Sequence, residues 1–194
     1  NAASGHHVSP SSSLVEAIQR DTRDWLERAV IGLNLCPFAK AVHVKGQVHF
    51  AVSHAVTATA LLADLEAELR ALVSLDETVR DTTLLMAPGC LADFLEFNDF
   101  LDDADRLLIA LDLDGAIQIA SFHPAYQFAG TEPDDITNCT NRAPYPTLHL
   151  LREASIARAV EAIAEPEAIY EANMRTLRSL GHAGWAALDV GAKA

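Results

Sequence analysis

The residues of this chain that are best suited to chemistry lie close together, in residues 121–153. The segment reads SFHPAYQFAGTEPDDITNCTNRAPYPTLHLLRE, and its side chains that can transfer protons, bind anions or donate hydrogen bonds are His123, Tyr126, Gln127, Asn141, Arg142, Tyr145, His149, Arg152 and Glu153. A connection longer than about 12–15 residues without secondary structure is uncommon in a compact domain, and it is usually functional or disordered. Prolines and apolar residues favour an ordered segment here, so we expect it to form a site and to pack over the end of the preceding strand.

His123 and His149 are the candidates for acid–base catalysis, because imidazole changes its charge near neutral pH. We expect His123 to line the main cavity together with Arg142 or His149, with a pKa that partial burial lowers. If residues 147–151 form a strand, His149 and Arg152 lie on opposite faces of it. If the following helix begins earlier, the two side chains share one face.

Arg142 and Arg152 can bind a carboxylate or phosphate, because the guanidinium group is planar and donates hydrogen bonds in pairs. Arg142 is the expected anion anchor. The residues expected to surround a substrate with it are Tyr126, Gln127, Asn141, Tyr145, Arg152 and Glu153. The chain has 14 Lys and Arg against 27 Asp and Glu, so an ion pair with a neighbouring carboxylate is an equally good interpretation of Arg152.

Cys36 is a candidate nucleophile that directly precedes Pro37. At the end of the first helix its thiol pKa would be raised by the helix dipole, whereas at the start of a following helical turn it would be lowered. Its apolar neighbours predict a thiol that reagents reach poorly. With His123 and His149 it would also complete a set of two His and one Cys, which binds catalytic zinc and leaves a position for water.

Hydrophobic periodicity predicts alternating helices and strands around these residues. Strands are predicted at residues 47–53, 82–88, 116–122 and 147–151. Helices are predicted at residues 13–34, 58–73, 91–111, 155–163 and 166–181, the last with Gly181 as a left-handed cap. The order predicts an α/β or α+β fold, a single-domain sandwich of a small, mostly parallel sheet with helices packed on it. We expect residues 1–12 to be a flexible tail and residues 13–194 to be the domain.

A parallel sheet would bring the carboxyl ends of its strands to one edge, where ligands of open α/β sheets bind. Three segments would meet there: Ser53-His54, Pro88-Gly89-Cys90 and Phe122-His123-Pro124. His123 would therefore be delivered to the edge at which sites form.

Composition and charge exclude several classes of partner. Half of the residues are apolar and 21% are charged, which is typical of a globular protein. The net charge of −13 argues against binding to nucleic acid or to an anionic membrane surface, both of which need clustered Lys and Arg. No apolar run approaches the ~20 residues of a membrane-spanning helix, and the polar N-terminus is unlike a signal peptide.

We expect the residues of the 121–153 segment to bind a small-molecule ligand, and we expect neither nucleic acid nor a membrane to be bound. Three widely spaced cysteines are unlike a disulfide framework, so we expect a cytoplasmic protein. The sequence points to no particular cofactor or oligomeric state.

Three functions are compatible with these residues. The first is an enzyme that acts on a small anionic metabolite by histidine acid–base chemistry, and the long segment favours it. The second is a zinc- or iron-binding protein that uses His123, His149 and Cys36. The third is a non-catalytic module whose polar loop contacts a protein partner. The alternative to any site is a loop that covers a sheet edge, with its Asn and Asp side chains bonded to their own turns.

Four stretches carry a resemblance to a known bacterial family: VIGLNLCPFAKAV, FNDFLDDAD, IASFHPAYQFAGTEPDDITNCTNRAPYPTLHLLREASI and LGHAGW. They resemble DUF1415, a domain of unknown function, over most of the chain from about Trp25 to Trp185. The resemblance implies a single-domain bacterial protein and brings no established activity, substrate or catalytic residue. The family pattern includes the candidates Cys36, His123, Tyr126, Gln127, Asn141, Arg142, Tyr145, His149, Arg152 and Glu153.

Overall fold

A four-stranded sheet with helices on both faces forms the body of the protein, as seen in a computed structural model that describes residues 10–194. The strands are β1 (Val48–Val52), β2 (Thr82–Met86), β3 (Ile117–Phe122) and β4 (Thr147–Arg152). The α-helices are α1 (Pro10–Trp25), α2 (Ala39–Val44), α3 (Ala58–Ser74), α4 (Phe94–Ala110), α5 (Glu153–Glu161) and α6 (Ala168–Ala187). A π-helical turn (Leu26–Ile31) continues α1, and a 3₁₀ helix (Ile136–Asn141) interrupts the long segment before β4. The predicted mixed α/β fold is confirmed.

The strands lie in the order β1-β2-β4-β3. β1 and β2 pair in parallel, whereas β4 pairs antiparallel with both β2 and β3. The expected mostly parallel sheet therefore needs correction, because only one of the strand pairings is parallel. The chain returns after β3 through the long segment instead of through a crossover helix, and this return brings β4 in against its neighbours.

The face that packs on α3 and α4 is closed. Apolar residues of α3 recur at helical spacing and are fully buried: Leu61, Leu65, Leu69 and Leu72. They pack with Phe97, Phe100 and Ala104 of α4 against the sheet side chains Ala51, Leu85, Ile117, Leu148 and Leu150. Both helices begin at capping side chains, since Thr57 accepts from the Ala60 N–H and Asp93 from the Glu96 N–H.

The opposite face is covered only in part. α1 and the π-helical turn pack there on β1 and β2 through the apolar residues Ile18, Trp25, Leu26, Ala29 and Val30. α5 contacts β4, and its side chains line a cavity on this face of the sheet. The π-helical turn widens the helix, as shown by hydrogen bonds from Gly32 N to the Glu27 oxygen (3.0 Å) and from Leu35 N to the Val30 oxygen (2.9 Å).

The ends of two helices differ from the predicted ones. α1 begins at Pro10, ahead of the predicted start, because proline is tolerated in the first helical turn, whose N–H groups have no partner. Of the expected tail, residues 10–12 are thus helical and residues 1–9 lie outside the described residues. Gly181 has φ 71° and ψ 176° and breaks α6, but the chain resumes a helix to Ala187 instead of ending there.

Candidate functional site

The register of the sheet aligns three rows of side chains on the face opposite α3 and α4. The first row contains Val48, Thr82, Leu151 and Gln118. The middle row contains Phe50, Leu84, His149 and Ala120. The last row contains Val52, Met86, Thr147 and Phe122. His149 therefore lies near the centre of this face, with the small side chain of Ala120 directly beside it.

A cavity of about 820 Å³ lies over the first two rows. Its apolar walls come from α1, the π-helical turn, the Cys36–Ala39 segment, α2 and α5: Trp25, Leu26, Val30, Cys36, Pro37, Phe38, Ala39, Val42, Ile156 and Ala159. Its inner end is closed by Trp25 and Phe122, whose ring centroids are 5.1 Å apart. Small-molecule sites typically occupy about 300–1,000 Å³, so the cavity has the size of a ligand site.

The polar lining residues cluster where β1, β2 and β3 begin: Lys45, Gln47, Glu77, Thr78, Asp81, Ser155 and Arg158. Lys45, Thr78 and Arg158 are exposed, so the mouth of the cavity is at this edge. This is the opposite edge from the one that the sequence favoured. Of the three segments predicted to meet at the carboxyl ends, two contribute to a smaller pocket of about 330 Å³, through Ser53, His54, Pro88 and Gly89, whereas Phe122-His123-Pro124 does not line it.

The hydrogen bonds of His149 define its tautomer. The Thr82 hydroxyl lies 2.6 Å from the Leu150 carbonyl oxygen and 2.8 Å from His149 Nε2. A carbonyl only accepts, so Thr82 gives its proton to Leu150 and must accept from an Nε2–H group. Nδ1 then carries a lone pair, and no hydrogen bond engages it within residues 10–194. Burial lowers the pKa of His149 to about 4, so the imidazole is neutral at pH 7.

Cys36 lies in the wall of the same cavity, half-buried. Burial raises the pKa of its thiol, although the backbone N–H groups of Phe38 and Ala39 donate to the sulfur and act in the opposite direction. The net effect is a protonated thiol at neutral pH. The structure thus brings Cys36 and His149 to one cavity, as two of the three residues predicted for catalysis.

The charged groups at the mouth are unequally paired. Arg158 forms an ion pair with Glu77 (2.7 Å). Asp81 accepts a hydrogen bond from Ser155 (2.7 Å) and lies 3.9 Å from Arg152 Nε. Within the described part of the chain, Lys45 has no ion pair and no side-chain hydrogen bond. Its ammonium group is therefore the charge at the mouth that is left for a ligand.

His123 is on the other side of the sheet, and the expectation that it lines the main cavity is wrong. Its side chain is 1% exposed and packs against the rings of Phe94 and Phe97, at centroid distances of 5.5 and 5.0 Å. Nε2 donates to the Leu91 oxygen and Nδ1 accepts from the Ala125 N–H, both at 2.9 Å. Both ring nitrogens are occupied. Burial lowers the pKa of His123, as predicted.

The long segment packs against the end of β3, where the His123 N–H donates to the Asn141 oxygen (3.1 Å), but most of its polar side chains bond to main-chain groups of the segment. Arg142 donates from Nε to the Tyr126 oxygen (3.1 Å) and from an Nη atom to the Pro133 oxygen (2.6 Å). Gln127 donates to the Thr131 oxygen (2.6 Å). Neither Arg142 nor Gln127 lines the cavity, so Arg142 is not its anion anchor. It stabilises the loop instead.

Other residues of the segment also have structural roles. Tyr126 packs on Phe94 with a centroid distance of 4.9 Å, and Asn141 donates to the Ser121 oxygen (3.0 Å). Glu153 begins α5, with its N–H bonded to the Ala116 oxygen (2.9 Å). None of these side chains lines the cavity. The sequence identified them correctly as polar and clustered, but the contacts of Tyr126 and Asn141 lie within the fold, on a ring and on a main-chain oxygen.

Tyr145 and Arg152 tie distant parts of the chain together. The Tyr145 hydroxyl donates to Asp21 (2.6 Å). Burial raises the pKa of Tyr145, and the neighbouring carboxylate of Asp21 raises it further. Arg152 lies on the opposite face of β4 from His149, as expected for a strand. One Nη atom donates to the oxygens of Leu72 (2.9 Å), Leu75 (3.0 Å) and Arg80 (2.8 Å), and so caps the end of α3.

The expected metal set is not assembled. His123 lies on the closed face of the sheet, whereas Cys36 and His149 lie at the cavity. Within residues 10–194, no group of three or more His, Cys, Asp or Glu residues is arranged to hold a metal ion. The zinc or iron interpretation therefore loses the ligand set on which it was based.

Comparison with known proteins places the chain in a family. The model of DUF1415, described as a protein of unknown function, matches residues 17–187. The chain belongs to this family. No curated protein and no solved structure matches the DUF1415 chain. In the portion that the structure describes, none of its helices combines the length and the apolar character that crossing a membrane requires.

Several residues of the cavity were missed by the sequence reasoning, chiefly Thr82, Gln118 and Lys45. The alternation of Gln118, Ala120 and Phe122 along β3 was visible in the sequence. What was missing is that this face, and not the face of Ile117, carries the cavity. That depends on which helices cover each face, and no local pattern encodes it.

Proposed function

We propose that this DUF1415 protein is an enzyme that acts on a small anionic molecule held in the 820 Å³ cavity, with His149 as the acid–base residue. The observation that carries the proposal is the unengaged Nδ1 lone pair on the floor of a largely apolar cavity, with Nε2 held by Thr82. A catalytic imidazole needs one nitrogen fixed by the protein and one free for the substrate. Of the two histidines considered, His149 meets this condition and His123 does not.

An anionic substrate fits the charges of the site. Lys45 at the mouth is available to bind a carboxylate or phosphate, a role that we had expected of Arg142. With the anionic group held at Lys45, the neutral imidazole of His149, whose pKa burial lowers, presents Nδ1 as a hydrogen-bond and proton acceptor to the other end of the substrate.

Cys36 has a secondary place in this proposal. Its thiol lines the cavity but is held protonated by burial, so it would act as a nucleophile only if a base removed its proton. We assign it to the substrate-binding wall. All three cysteines are free, which supports our expectation of a reducing, cytoplasmic environment.

A non-catalytic interaction module is the second candidate, and one observation favours it. The polar side chains of residues 124–142 turn inward and pair with the backbone, as expected for a loop that presents a surface of fixed shape. The concave, largely apolar cavity and the position of His149 weigh more heavily, since a flat interface requires neither of them.

The test is turnover of small anions by three forms of the protein. Wild type, His149→Gln and His54→Gln are incubated with a library of organic carboxylates and phosphates, and mass spectrometry detects new species. His54 is exposed and lies at the other pocket, which makes it the matched control. Loss of an acid–base residue lowers rates by roughly 10²–10⁴, so we expect turnover by wild type and His54→Gln but little by His149→Gln. Equal turnover by His149→Gln would refute the role of His149.

A further inference from the structure

The hydrogen bonds around His149 restrict what a ligand can offer to it. The chain of donors runs from Nε2–H to the Thr82 oxygen and from the Thr82 hydroxyl to the Leu150 oxygen. Reversing it would require a carbonyl oxygen to donate, which it cannot do. Nδ1 is thus held as an acceptor, and the matching ligand group is a hydroxyl or an N–H.

We infer that the substrates of this site are amphipathic organic acids with three parts: an anionic group at one end, an apolar body, and a hydroxyl or N–H donor at the far end. This inference rests on the proposed function and specifies its substrate class. The donor contacts His149 Nδ1, the body lies along the sheet between Ala120 and the apolar wall, and the anionic group reaches Lys45.

The shape of the cavity supports the apolar body. Leu84 and Ala120 flank His149 in the middle row, and Trp25 and Phe122 close the inner end behind them. Ala120 leaves space where a larger residue would fill the sheet face. A body that lies over these residues excludes water from Nδ1, which strengthens a hydrogen bond made there.

The spacing of the polar groups sets the length of the ligand. Leu151 of the first row is two steps along β4 from His149, about 7 Å away, and β1 is two strands from β4, about 10 Å across the sheet. Lys45 lies beyond that row, just ahead of β1. A donor and an anion at opposite ends of two fused aromatic rings, or of a chain of about six carbons, are roughly 8–10 Å apart, and the long side chain of Lys45 spans the remainder.

Three related probes separate the contributions of the two ends. They are 6-hydroxy-2-naphthoate, its 6-methoxy ether and unsubstituted 2-naphthoate, with dissociation constants measured by titration calorimetry at pH 7.5. All three keep the carboxylate and the apolar body, and only the first has the donor. Because an unmade buried hydrogen bond leaves Nδ1 desolvated without a partner, we expect the hydroxy acid to bind roughly tenfold or more tightly than the other two.

Variants test which residue binds each end of the probe. His149→Phe should remove the preference for the hydroxy acid, and Lys45→Ala should weaken all three probes. Lys40→Ala is the matched control for charge. Lys40 is an exposed residue of α2, the helix whose C-cap residue is Lys45, and it does not line the cavity. Its affinities should equal those of wild type.

The outcomes distinguish the inference from the proposed function. Equal affinities of wild type for the hydroxy and methoxy acids would overturn the inference, while the cavity would still bind anions as proposed. Failure of all three probes to bind would overturn both. If His149→Phe does not fold, comparing the three probes on wild type alone still tests whether the site prefers a ligand with a hydrogen-bond donor.

Discussion

His123 and His149 face opposite sides of one sheet. His123 extends the face of β3 that packs on α4, where Phe94 and Phe97 enclose its ring. His149, in the adjacent strand, faces the cavity. Two histidines that the sequence presents as equivalent therefore have different chemistry, one with both nitrogens occupied and one with a nitrogen free.

Replacing His123 should cost stability and leave ligand binding intact. His123→Ala removes a fully buried ring and leaves the Leu91 oxygen and the Ala125 N–H unpaired. We expect a loss of roughly 2–4 kcal/mol in the free energy of unfolding, measured by urea denaturation. His54→Ala, at an exposed histidine, should change it little. This expectation reverses our interpretation from the sequence, in which His123 was a catalytic residue that lines the main cavity. An unchanged unfolding free energy for His123→Ala would contradict it.

The pH dependence of stability should report the burial of His149. Its pKa falls from the ordinary 6.5 to about 4 in the folded protein, so the unfolded chain binds more protons between these values. The folded state is therefore destabilised as the pH falls from 6.5 towards 4, by a total on the order of 3 kcal/mol. Between pH 6.5 and 4, His149→Gln should lose less of its free energy of unfolding than wild type does, as measured by urea denaturation. An imidazole of His149 that titrates near pH 6.5 by NMR would contradict the prediction.

Tyr145 should stabilise the protein through Asp21. Burial alone would raise the pKa of Asp21, but the Tyr145 hydroxyl and the N–H groups of Lys193 and Ala194 donate to its carboxylate and hold the pKa below the ordinary 3.8. The contribution is present above pH 3.8 and is lost as the pH falls through the lower folded value. Tyr145→Phe should cost about 1–3 kcal/mol at pH 7, measured by urea denaturation. The difference in unfolding free energy between Tyr145→Phe and wild type should shrink at low pH. A difference that does not change with pH would indicate that Tyr145 stabilises the protein by packing alone.

Arg152 should matter for stability and not for the ligand. Arg152→Ala leaves two carbonyl oxygens at the end of α3, those of Leu72 and Leu75, and that of Arg80 ahead of β2 without their shared donor. We expect a loss of about 2–3 kcal/mol in the free energy of unfolding, since hydrogen bonds to charged groups are stronger than average. Arg70→Ala removes an arginine that is 65% exposed and serves as the control. Weakened ligand binding by a folded Arg152→Ala protein would show that Arg152 contacts the ligand after all.

Cys36 should react slowly with thiol reagents, since burial both raises its pKa and limits access. Alkylation at pH 7 followed by peptide mapping should modify Cys36 more slowly than a free cysteine in an unfolded peptide. A ligand in the cavity should slow the reaction further. Rapid modification of Cys36 alone would instead support a reactive thiol and restore the nucleophile hypothesis.

Local sequence patterns predicted the elements well because each pattern reflects a local cause. Alternation along β1 and β3 and the continuous apolar run of β2 gave strands within a residue or two of their observed ends. Alternation also placed His123 on the face of Ile117, which is correct. The position of the cavity was not predictable in this way, because it depends on the insertion of β4 and on the partial cover provided by α1 and α5.

The polar residues of the long segment illustrate a second limit of sequence reasoning. Arginine binds anions and main-chain carbonyls through the same guanidinium group, so Arg142 and Arg152 have the same appearance in the sequence as ligand-binding arginines. The carbonyls that they contact are up to 80 residues away for Arg152. Only the folded chain shows which acceptor each one has.

The π-helical turn at Leu26–Ile31 makes the cavity sensitive to changes in chain length. A π-helical turn contains one residue more than the α-helical turn it replaces, and each α-helical residue rotates the chain by about 100°. Deleting a single residue here would restore an α-helix, but it would also turn Trp25 and Val30 relative to one another and redirect the chain towards Cys36. Insertions and deletions at this turn are therefore a route by which relatives could acquire cavities of different shape while the sheet stays unchanged.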